Sequence, residues 1–438
     1  MLLTTTTHGV SAAEVVECMI RILEDDPVTN AGTGSNLNLD GQVECDASIM
    51  DGTTLGFGSV GAVSDFKNPI SVATKILQES DQGPLSLGRI PPIMLVGPGV
   101  AQWVETMVTD SSATSSLSSL EACSGLERVP RQPSADALAK AREQMSRIDT
   151  TGAGAGEEDG SIGGSLVTME ALRRHVRFQS MLKKAAAGET TMTASMTPLG
   201  TRTTPLESPT SLNDQQDTED NLDGSQKRNR TESDESNTSG SESSIKRRQI
   251  VQDETLEIDE EDRLQDTVGA ICIDAQGHVA AGVSSGGIAM KFPGRVSEAA
   301  LFGAGCWAQD ATEDTDGFAC SLTGAGEQIT KTLLARTCME TCLAVDDLSD
   351  AGYQVLERFM ASPLLRGYRE KYAGMIGVRV DHEALEGGGG VRAEMVFAHT
   401  TQTMGIGYMS AQDIKPTAIM SKKNPGSSKV VSTRMVRL

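Results

Sequence analysis

Residues 263–287 read RLQDTVGAICIDAQGHVAAGVSSGG and contain the sharpest change of character in the chain. The segment begins in a polar, acidic tract and changes at Thr267 to small and β-branched residues. Two apolar runs, 268–274 and 278–284, flank a turn near Gln276, which predicts a β-hairpin. An apolar strand therefore begins directly after an Asp-Thr pair, with no turn before it.

Residues on both sides of this hairpin complete a layered domain. Residues 11–107 alternate predicted helices and strands. After the hairpin, two predicted helices at 327–345 and 348–362 are followed by further strands up to residue 409. Strands, then helices, then strands are typical of an α/β fold with a mostly antiparallel sheet.

A long low-complexity tract at 110–264 separates the two ordered parts. It is rich in Ser, Thr, Glu and Gly, with predicted helices only at 134–148 and 165–187. The remaining 188–264 offer too few apolar residues to offset the entropy lost on ordering. We therefore expect a long disordered insertion.

Composition argues against several classes of protein. The chain has 438 residues, a net charge of −22 and eight cysteines, none of them in a CxxC pair. Phosphate contact requires clustered Lys and Arg, so the charge argues against binding to nucleic acid or acidic membranes. The scattered cysteines favour buried, reduced thiols. Neither a signal peptide nor an apolar run of about 18 residues is present, so we expect a soluble, intracellular protein.

Common catalytic motifs are missing from the sequence. The five histidines show no HExxH spacing and no GxSxG motif occurs, so no motif indicates a zinc hydrolase or a serine hydrolase. The stretch GAGAGEEDG at 152–160 has no preceding strand and carries three acidic residues. We interpret it as a linker rather than a phosphate-binding loop.

Two basic clusters interrupt the acidic tract: KRNR from Lys227 to Arg230 and KRR from Lys246 to Arg248. One interpretation is a solvated charge run. The other is a bipartite signal that a nuclear import receptor binds in extended form, and the spacing of about fifteen residues favours it. We therefore expect the protein in nucleus and cytoplasm.

The pair Asp266-Thr267 indicates an unusual nucleophile. A threonine hydroxyl is a poor nucleophile without a base beside it, but an N-terminal threonine carries its own. Its α-amine has a pKa of about 7.7–8.0, so part of it is neutral near pH 7. Cleavage before Thr267 would create such a residue, although Asp-Thr pairs are common and establish no activity alone.

The surrounding motifs resemble a known family. DTVGAICIDAQGHVAAGVSSGG (266–287), followed by PGRVSEAALFGAGCWA, is similar to the type-2 asparaginases, which are N-terminal-nucleophile hydrolases. TNAGTGSNLNLDGQVECDASIMDG (29–52) and HTTQTMGIGYMSAQD (399–413) look like one branch, the threonine aspartases or taspases. The resemblance covers about 11–107 and 264–413.

The resemblance implies a four-layer αββα sandwich and no metal or other cofactor. It implies self-cleavage between Asp266 and Thr267 into an α subunit (1–266) and a β subunit (267–438), which pair into a dimer of heterodimers. Taspases cut proteins after aspartate, commonly before glycine. Their substrates are nuclear regulators of transcription, including trithorax-type histone methyltransferases.

The resemblance also assigns roles to residues. It implies Thr267 as nucleophile, Asn30 and the Gly324 N–H as oxyanion donors, and Thr323 as a substrate contact. Ser285, eighteen positions after the nucleophile, is the taspase variant of a family threonine. The resemblance also implies that Arg295 binds the substrate aspartate, because the two parallel N–H groups of a guanidinium match the two oxygens of a carboxylate.

Two departures keep alternatives open. Glu298 stands where plain asparaginases carry an Asp that holds the free α-amine of a single amino acid. It keeps an L-asparaginase or isoaspartyl peptidase possible, unless its side chain points outward. The other departure is residues 1–9, MLLTTTTHG, which are not expected to supply the family's first central strand. An inactive nuclear scaffold with that strand missing is therefore a further alternative.

Overall fold

The computed structural model describes residues 2–5, 10–111, 126–130, 132–151, 161–186, 267–382 and 391–437. All of them belong to one compact unit, formed by Met1–Glu189 and Glu257–Leu438. Most of the predicted disordered insertion, both basic clusters and Asp266 lie outside the described residues. Among the described helices, none is long and apolar enough to cross a membrane.

The described chain is a mixed α/β structure. The helices are α1 (Ala12–Asp25), α2 (Pro69–Asp81), α3 (Pro98–Ser111), α4 (Ala135–Thr151), α5 (Met169–Ala186), α6 (Gly326–Thr332), α7 (Leu334–Ala344) and α8 (Leu348–Ala361). The strands are β1 (Leu2–Thr5), β2 (Cys45–Asp51), β3 (Phe57–Val63), β4 (Met94–Val96), β5 (Val268–Ile273), β6 (Val279–Ser285), β7 (Cys306–Gln309), β8 (Gly317–Gly324), β9 (Ala373–Val380), β10 (Arg392–His399), β11 (Thr403–Tyr408), β12 (Thr417–Lys422) and β13 (Val430–Arg437).

These strands form two sheets. The first has eight strands in the order β12-β11-β1-β5-β6-β2-β3-β4, and the second has five in the order β13-β10-β9-β8-β7. Most neighbours are antiparallel, as the sequence predicts; the parallel neighbours are those of β1, and the pair β3–β4. The predicted hairpin is β5–β6, and Val268 pairs with Ser284.

The expectation that residues 1–9 supply no central strand is wrong. Residues Leu2–Thr5 lie between β11 and β5 and pair with both in parallel. Threonine is β-branched and accommodates extended backbone, so this polar-looking segment can form a strand. Sheet pairing is made by backbone groups, so the polarity of these side chains does not prevent the segment from joining the sheet.

Three apolar clusters cover the sheets. Helices α1 and α2 pack on one face of the eight-stranded sheet, where Ala270 and Cys272 of β5 point. Ile271 and Ile273, on the opposite face of β5, join a second cluster with residues of the five-stranded sheet such as Ile376. The third cluster joins β8 and β9 to α7 and α8. Strand β5 is therefore buried on both faces, which holds the residue before it rigidly.

The predicted helix 327–345 is interrupted in the structure. Leu333 adopts a left-handed conformation with φ of 45° and separates α6 from α7. The first turn of α7 donates its N–H groups elsewhere: Ala335 to the Ala304 carbonyl and Arg336 to the Gly303 carbonyl. The break thus depends on contacts distant in sequence, which helical periodicity cannot reveal.

Candidate active site

Thr267 lies at the start of β5 and is buried, with 8% of its surface exposed. Because Val268 pairs with Ser284, Ser285 is beside Thr267 on the neighbouring strand. The Thr267 Oγ1 hydroxyl is 3.1 Å from the Ser285 Oγ and 3.3 Å from Glu298 Oε1. The threonine therefore has a hydroxyl and a carboxyl group within hydrogen-bonding reach.

The loop after α1 brings an asparagine pair to the same place. The side-chain amides of Asn30 and Asn36 each donate to the carbonyl of Gly287 at 2.9 Å. Asn30 Oδ1 accepts from the Asn36 backbone N–H, and the Asn30 carbonyl accepts from Gly286 N–H at 2.7 Å. Each amide nitrogen has two hydrogens, so Asn30 retains one that can serve an oxyanion.

Arg295 is largely buried beside this pocket, with 14% of its side chain exposed. Its Nε donates to Glu327 Oε1 at 2.9 Å, and one terminal nitrogen, Nη2, lies 2.7 Å from the same oxygen without hydrogen-bond geometry. The other, Nη1, has no hydrogen-bond partner among the described residues. A buried guanidinium nitrogen in this state is well suited to an incoming carboxylate.

Glu298 points into the pocket, so the outward orientation considered from the sequence is wrong. Only 1% of it is exposed, and it begins a short 3₁₀ turn at Glu298–Ala300. Burial raises the pKa of Glu298 to about 7; the charge of Arg295 opposes the shift, and Asp46 and Glu327 add to it. Near neutral pH the carboxyl group therefore exists in both protonation states.

Glycines allow the chain to close around the pocket. Gly324 has φ of +138°, and a side chain there would collide with the Tyr372 carbonyl. A side chain at Gly326 would collide with Glu298 Oε2 and with Arg295 Nη2. Small residues at these positions let the acidic and basic groups face the same space.

The groups enclose a cavity of about 10 Å³, close to the minimum for one water molecule. Its lining residues are Asn30, Thr267, Ser285, Gly287, Ile288, Arg295, Ser297, Glu298, Gly324 and Gly326. The structure thus brings together all the described candidate residues except Thr323. That residue precedes Gly324 in β8 and packs its methyl group toward Gly374.

A second buried acid contacts Ser284, the residue before Ser285 in β6. Glu24, at the end of α1, is fully buried, and its Oε1 accepts from the Ser284 Oγ at 2.6 Å and from Ile70 N–H at 3.1 Å. Burial raises the pKa of Glu24 to about 8, and these hydrogen bonds only partly oppose the shift. Glu24 could not be identified from the sequence, because its position in an ordinary helical pattern gives no indication of its partners.

One group of potential metal ligands occurs among the described residues, away from Thr267 in sequence. Asp316, Asp381 and His382 have ligand atoms within 4.8 Å of one another. Arg379 lies 3.6 Å from Asp316, and Arg392 pairs with Asp381. The arginines balance the acidic charge, so we interpret the group as an ion-pair network.

A comparison with protein-family models matches residues 3–168 and 205–414 to the family described as Asparaginase. The chain belongs to the type-2 asparaginase family of N-terminal-nucleophile hydrolases. The match spans both sides of the long insertion and includes every described residue that lines the cavity.

Curated relatives of this family are similar to parts of the chain. A plant-type L-asparaginase of Pyrococcus horikoshii is 44% identical over 97 residues, which are 22% of this chain and 28% of the relative. A human isoaspartyl peptidase/L-asparaginase is 42% identical over 100 residues, or 23% of this chain and 29% of the relative. The isoaspartyl peptidase of Escherichia coli is 24% identical over 327 residues, or 75% of this chain and 61% of the relative. The chain therefore covers less than two thirds of each of these relatives.

Several residues of the site were missed from the sequence. Gly287, Ile288, Ser297 and Gly326 line the cavity. Asn36 and Glu327 do not line it, but they contact Asn30 and Arg295. Gly287 stands in SSGG (284–287) and Gly326 in LTGAGE (322–327), two glycine-containing stretches that could have indicated close approach of the backbone. No sequence pattern indicated a role for Glu327, because only the folded structure brings it into contact with Arg295.

Proposed function

We propose that this hydrolase is an autoprocessing threonine endopeptidase that cuts proteins after aspartate, at Asp-Gly sites. The observation that carries the proposal is the buried Thr267 hydroxyl at the edge of β5, 3.1 Å from Ser285 and beside Arg295 in one cavity. The first apolar cluster joins helices α1 and α2 to the eight-stranded sheet, the second joins the two sheets, and the third joins the five-stranded sheet to α7 and α8. This order of helices, sheet, sheet and helices supports the four-layer αββα sandwich that belongs to this proposal.

The proposed reaction begins within the uncut chain. The Thr267 hydroxyl attacks the Asp266 carbonyl carbon, the peptide nitrogen leaves as an amine, and water hydrolyses the resulting ester. The α subunit (1–266) and β subunit (267–438) stay associated and pair into a dimer of heterodimers. The new α-amine of Thr267 then acts as the general base toward other polypeptides.

Substrate recognition in this proposal uses two kinds of group. Arg295 Nη1 receives the aspartate side chain, which fits its burial and its lack of a hydrogen-bond partner among the described residues. Asn30 and the Gly324 backbone stabilise the oxyanion, and Ser285 orients the nucleophile. Thr323 remains a proposed substrate contact, although it does not line the cavity.

A second candidate is an L-asparaginase or isoaspartyl peptidase. The buried Glu298 carboxyl beside Thr267 favours it, because an ionised carboxylate there can hold a free α-ammonium group. The names of the relatives favour it too. The inactive scaffold has no comparable support, since Thr267 lines one cavity with most of the residues that would act with it.

The proposed cellular role follows from the endopeptidase reading. Nuclear regulatory proteins with Asp-Gly sites are the proposed substrates. An import receptor that binds the clusters Lys227–Arg230 and Lys246–Arg248 would place the enzyme in nucleus and cytoplasm. Alanine substitution of both clusters should confine a fluorescent fusion to the cytoplasm, whereas unchanged nuclear signal would contradict this assignment.

The discriminating experiment compares substrates on the purified, self-cleaved protein. The probes are a polypeptide with one internal Asp-Gly bond, L-asparagine and a β-aspartyl dipeptide. We expect cleavage of the polypeptide after aspartate, detected by mass spectrometry, and its loss in Thr267→Ala. Turnover of only the small substrates would reject the endopeptidase and support the second candidate.

A further inference from the structure

Arg295 stands between two carboxyl groups. Glu327 occupies the Nε and Nη2 side of its guanidinium group, at 2.9 and 2.7 Å. Glu298 Oε2 and Arg295 Nη2 both approach the space left open by the missing side chain of Gly326. The Arg295 guanidinium therefore faces two acids on this side, while on the other side its Nη1 atom and the Nζ atom of the buried Lys291 both approach Gly287.

The charge balance of this pocket depends on Glu298. When Glu298 is ionised, a second negative charge stands beside Arg295, which disfavours the entry of a substrate carboxylate. When it is neutral, this second charge is absent, and the Nη1 atom of Arg295, beside Lys291, remains for a substrate acid. The same side chain thus controls how well an aspartate fits.

The geometry points to Glu298 as a selector between two substrate classes, acting through its own protonation. Its neutral carboxyl admits the aspartate of an uninterrupted polypeptide, which brings a negative charge and no α-ammonium group. Its carboxylate instead holds the free α-ammonium of an amino acid or β-aspartyl peptide. The inference rests on the proposed function, because the first class is the endopeptidase substrate.

The surroundings of Glu298 allow both forms to exist. Burial raises its pKa to about 7, while Arg295 from its own loop opposes the shift. Asp46 of β2 and Glu327 of α6 add negative charge from the other packed elements. Thr267 of β5 contributes a hydroxyl at 3.3 Å and, after self-cleavage, an amine.

The test uses wild-type, self-cleaved protein and two probes. One is a peptide with blocked ends and a single internal Asp-Gly bond; the other is a β-aspartyl dipeptide with a free α-amine. We would measure kcat/KM for both between pH 5.5 and 8.5. The ratio of the peptide value to the dipeptide value cancels any pH dependence of the shared Thr267 base.

We expect this ratio to fall about tenfold per pH unit, and so about 100-fold between pH 6 and pH 8, because one probe needs the acid and the other its conjugate base. In Glu298→Gln the ratio should be independent of pH. At pH 8 this variant should cleave the blocked peptide about tenfold better than wild type and the dipeptide at least tenfold worse.

Glu327→Gln is the matched control. It also removes an acid from Arg295, but Glu327 is not within reach of Thr267, so the fall of the ratio with pH should persist. A wild-type ratio that does not change with pH overturns the inference, even if Glu298→Gln fails to mature. Failure of the proposed function gives a different result: neither the wild type nor either variant cleaves the blocked peptide at any pH. That result overturns both the proposed function and the inference.

Discussion

The two ends of the β5–β6 hairpin carry polar clusters of opposite character. At the turn, Asp310 Oδ2 accepts from Thr53 Oγ1 at 2.8 Å and contacts His278 Nδ1 at 2.7 Å, while its Oδ1 accepts from Val279 N–H at 2.8 Å. At the Thr267 end, Arg295 Nη1 is buried with no hydrogen-bond partner among the described residues. The turn cluster satisfies its own groups, whereas the Thr267 cluster leaves capacity for a ligand.

This difference separates a structural cluster from a candidate site. Both contain acids and a cation, and both are held by the same two strands. Residue types alone would therefore rank them together. What distinguishes them is a buried donor that has no hydrogen-bond partner in the described part of the chain, since unpaired buried groups cost stability and persist where function requires them.

Substitution of Arg295 should have the largest effect. Arg295→Ala removes the proposed carboxylate partner and leaves Glu298 and Glu327 without their cation. We expect kcat/KM for an Asp-Gly peptide to fall about 1,000-fold, since truncation of one member of a buried charge pair costs about 2–5 kcal/mol. Steady-state kinetics on self-cleaved protein measure this.

Arg295→Lys is its control, because it keeps the charge and loses the planar fork, and it should retain an intermediate rate. A loss smaller than tenfold in Arg295→Ala would place the substrate carboxylate elsewhere. The unpartnered donor at the Thr267 end would then not distinguish a ligand site from the structural cluster at the turn.

Substitution of Glu24 should change stability rather than chemistry. The raised pKa of Glu24, about 8, means that the folded state keeps a proton which the unfolded chain releases near pH 4.5. The free energy of unfolding of the wild type therefore decreases as pH rises from about 4.5 to about 8, and it levels off above pH 8. Glu24→Gln lacks this proton, so its unfolding free energy relative to wild type should improve by about 1.4 kcal/mol per pH unit.

Urea unfolding at several pH values between 5 and 8.5 measures the effect of Glu24→Gln. Ser284→Ala is a matched control, since it deletes the shorter of the two hydrogen bonds to Oε1 without removing the acid. A free-energy difference that stays constant with pH would show that Glu24 is ionised in the folded protein.

The smallest effect is expected at the turn. Burial would lower the pKa of His278, but the hydrogen bond and charge of Asp310 outweigh it, and the pKa is raised. The protonated imidazole therefore adds stability below pH 6.5, and this contribution disappears as pH rises through the folded pKa. Because His278 is half exposed, we expect less than about 1 kcal/mol.

His278→Gln should thus be less stable than wild type at pH 5.5 and nearly equal at pH 8.5, as measured by urea unfolding. Its activity on a blocked Asp-Gly peptide at constant pH should match that of wild type. A loss of activity comparable to that of Arg295→Ala would erase the distinction between the two ends.

Much of the fold could be predicted because it is encoded locally. Small and β-branched residues on both sides of the turn near Gln276 predicted the hairpin, which the structure confirms as β5–β6. The first strand and the break at Leu333 could not be predicted. Both depend on backbone hydrogen bonds to segments far away in sequence.

The candidate site divides in the same way. Thr267, Ser285 and Arg295 could be identified from the resemblance of their motifs to the type-2 asparaginases, and the structure brings them together. The orientation of Glu298 and the pairing of Glu327 with Arg295 could not, because side-chain direction is set by packing. The roles of these residues remain predictions.

The nucleophile can be tested most directly by the intact mass of the purified full-length chain. We expect two wild-type species that meet between Asp266 and Thr267, the smaller beginning Thr-Val-Gly-Ala, and two from Thr267→Ser, which keeps a hydroxyl. Thr267→Ala should give one uncut species. A wild-type chain that stays whole, or a Thr267→Ala chain cut at the same bond, would contradict Thr267 as the self-processing nucleophile.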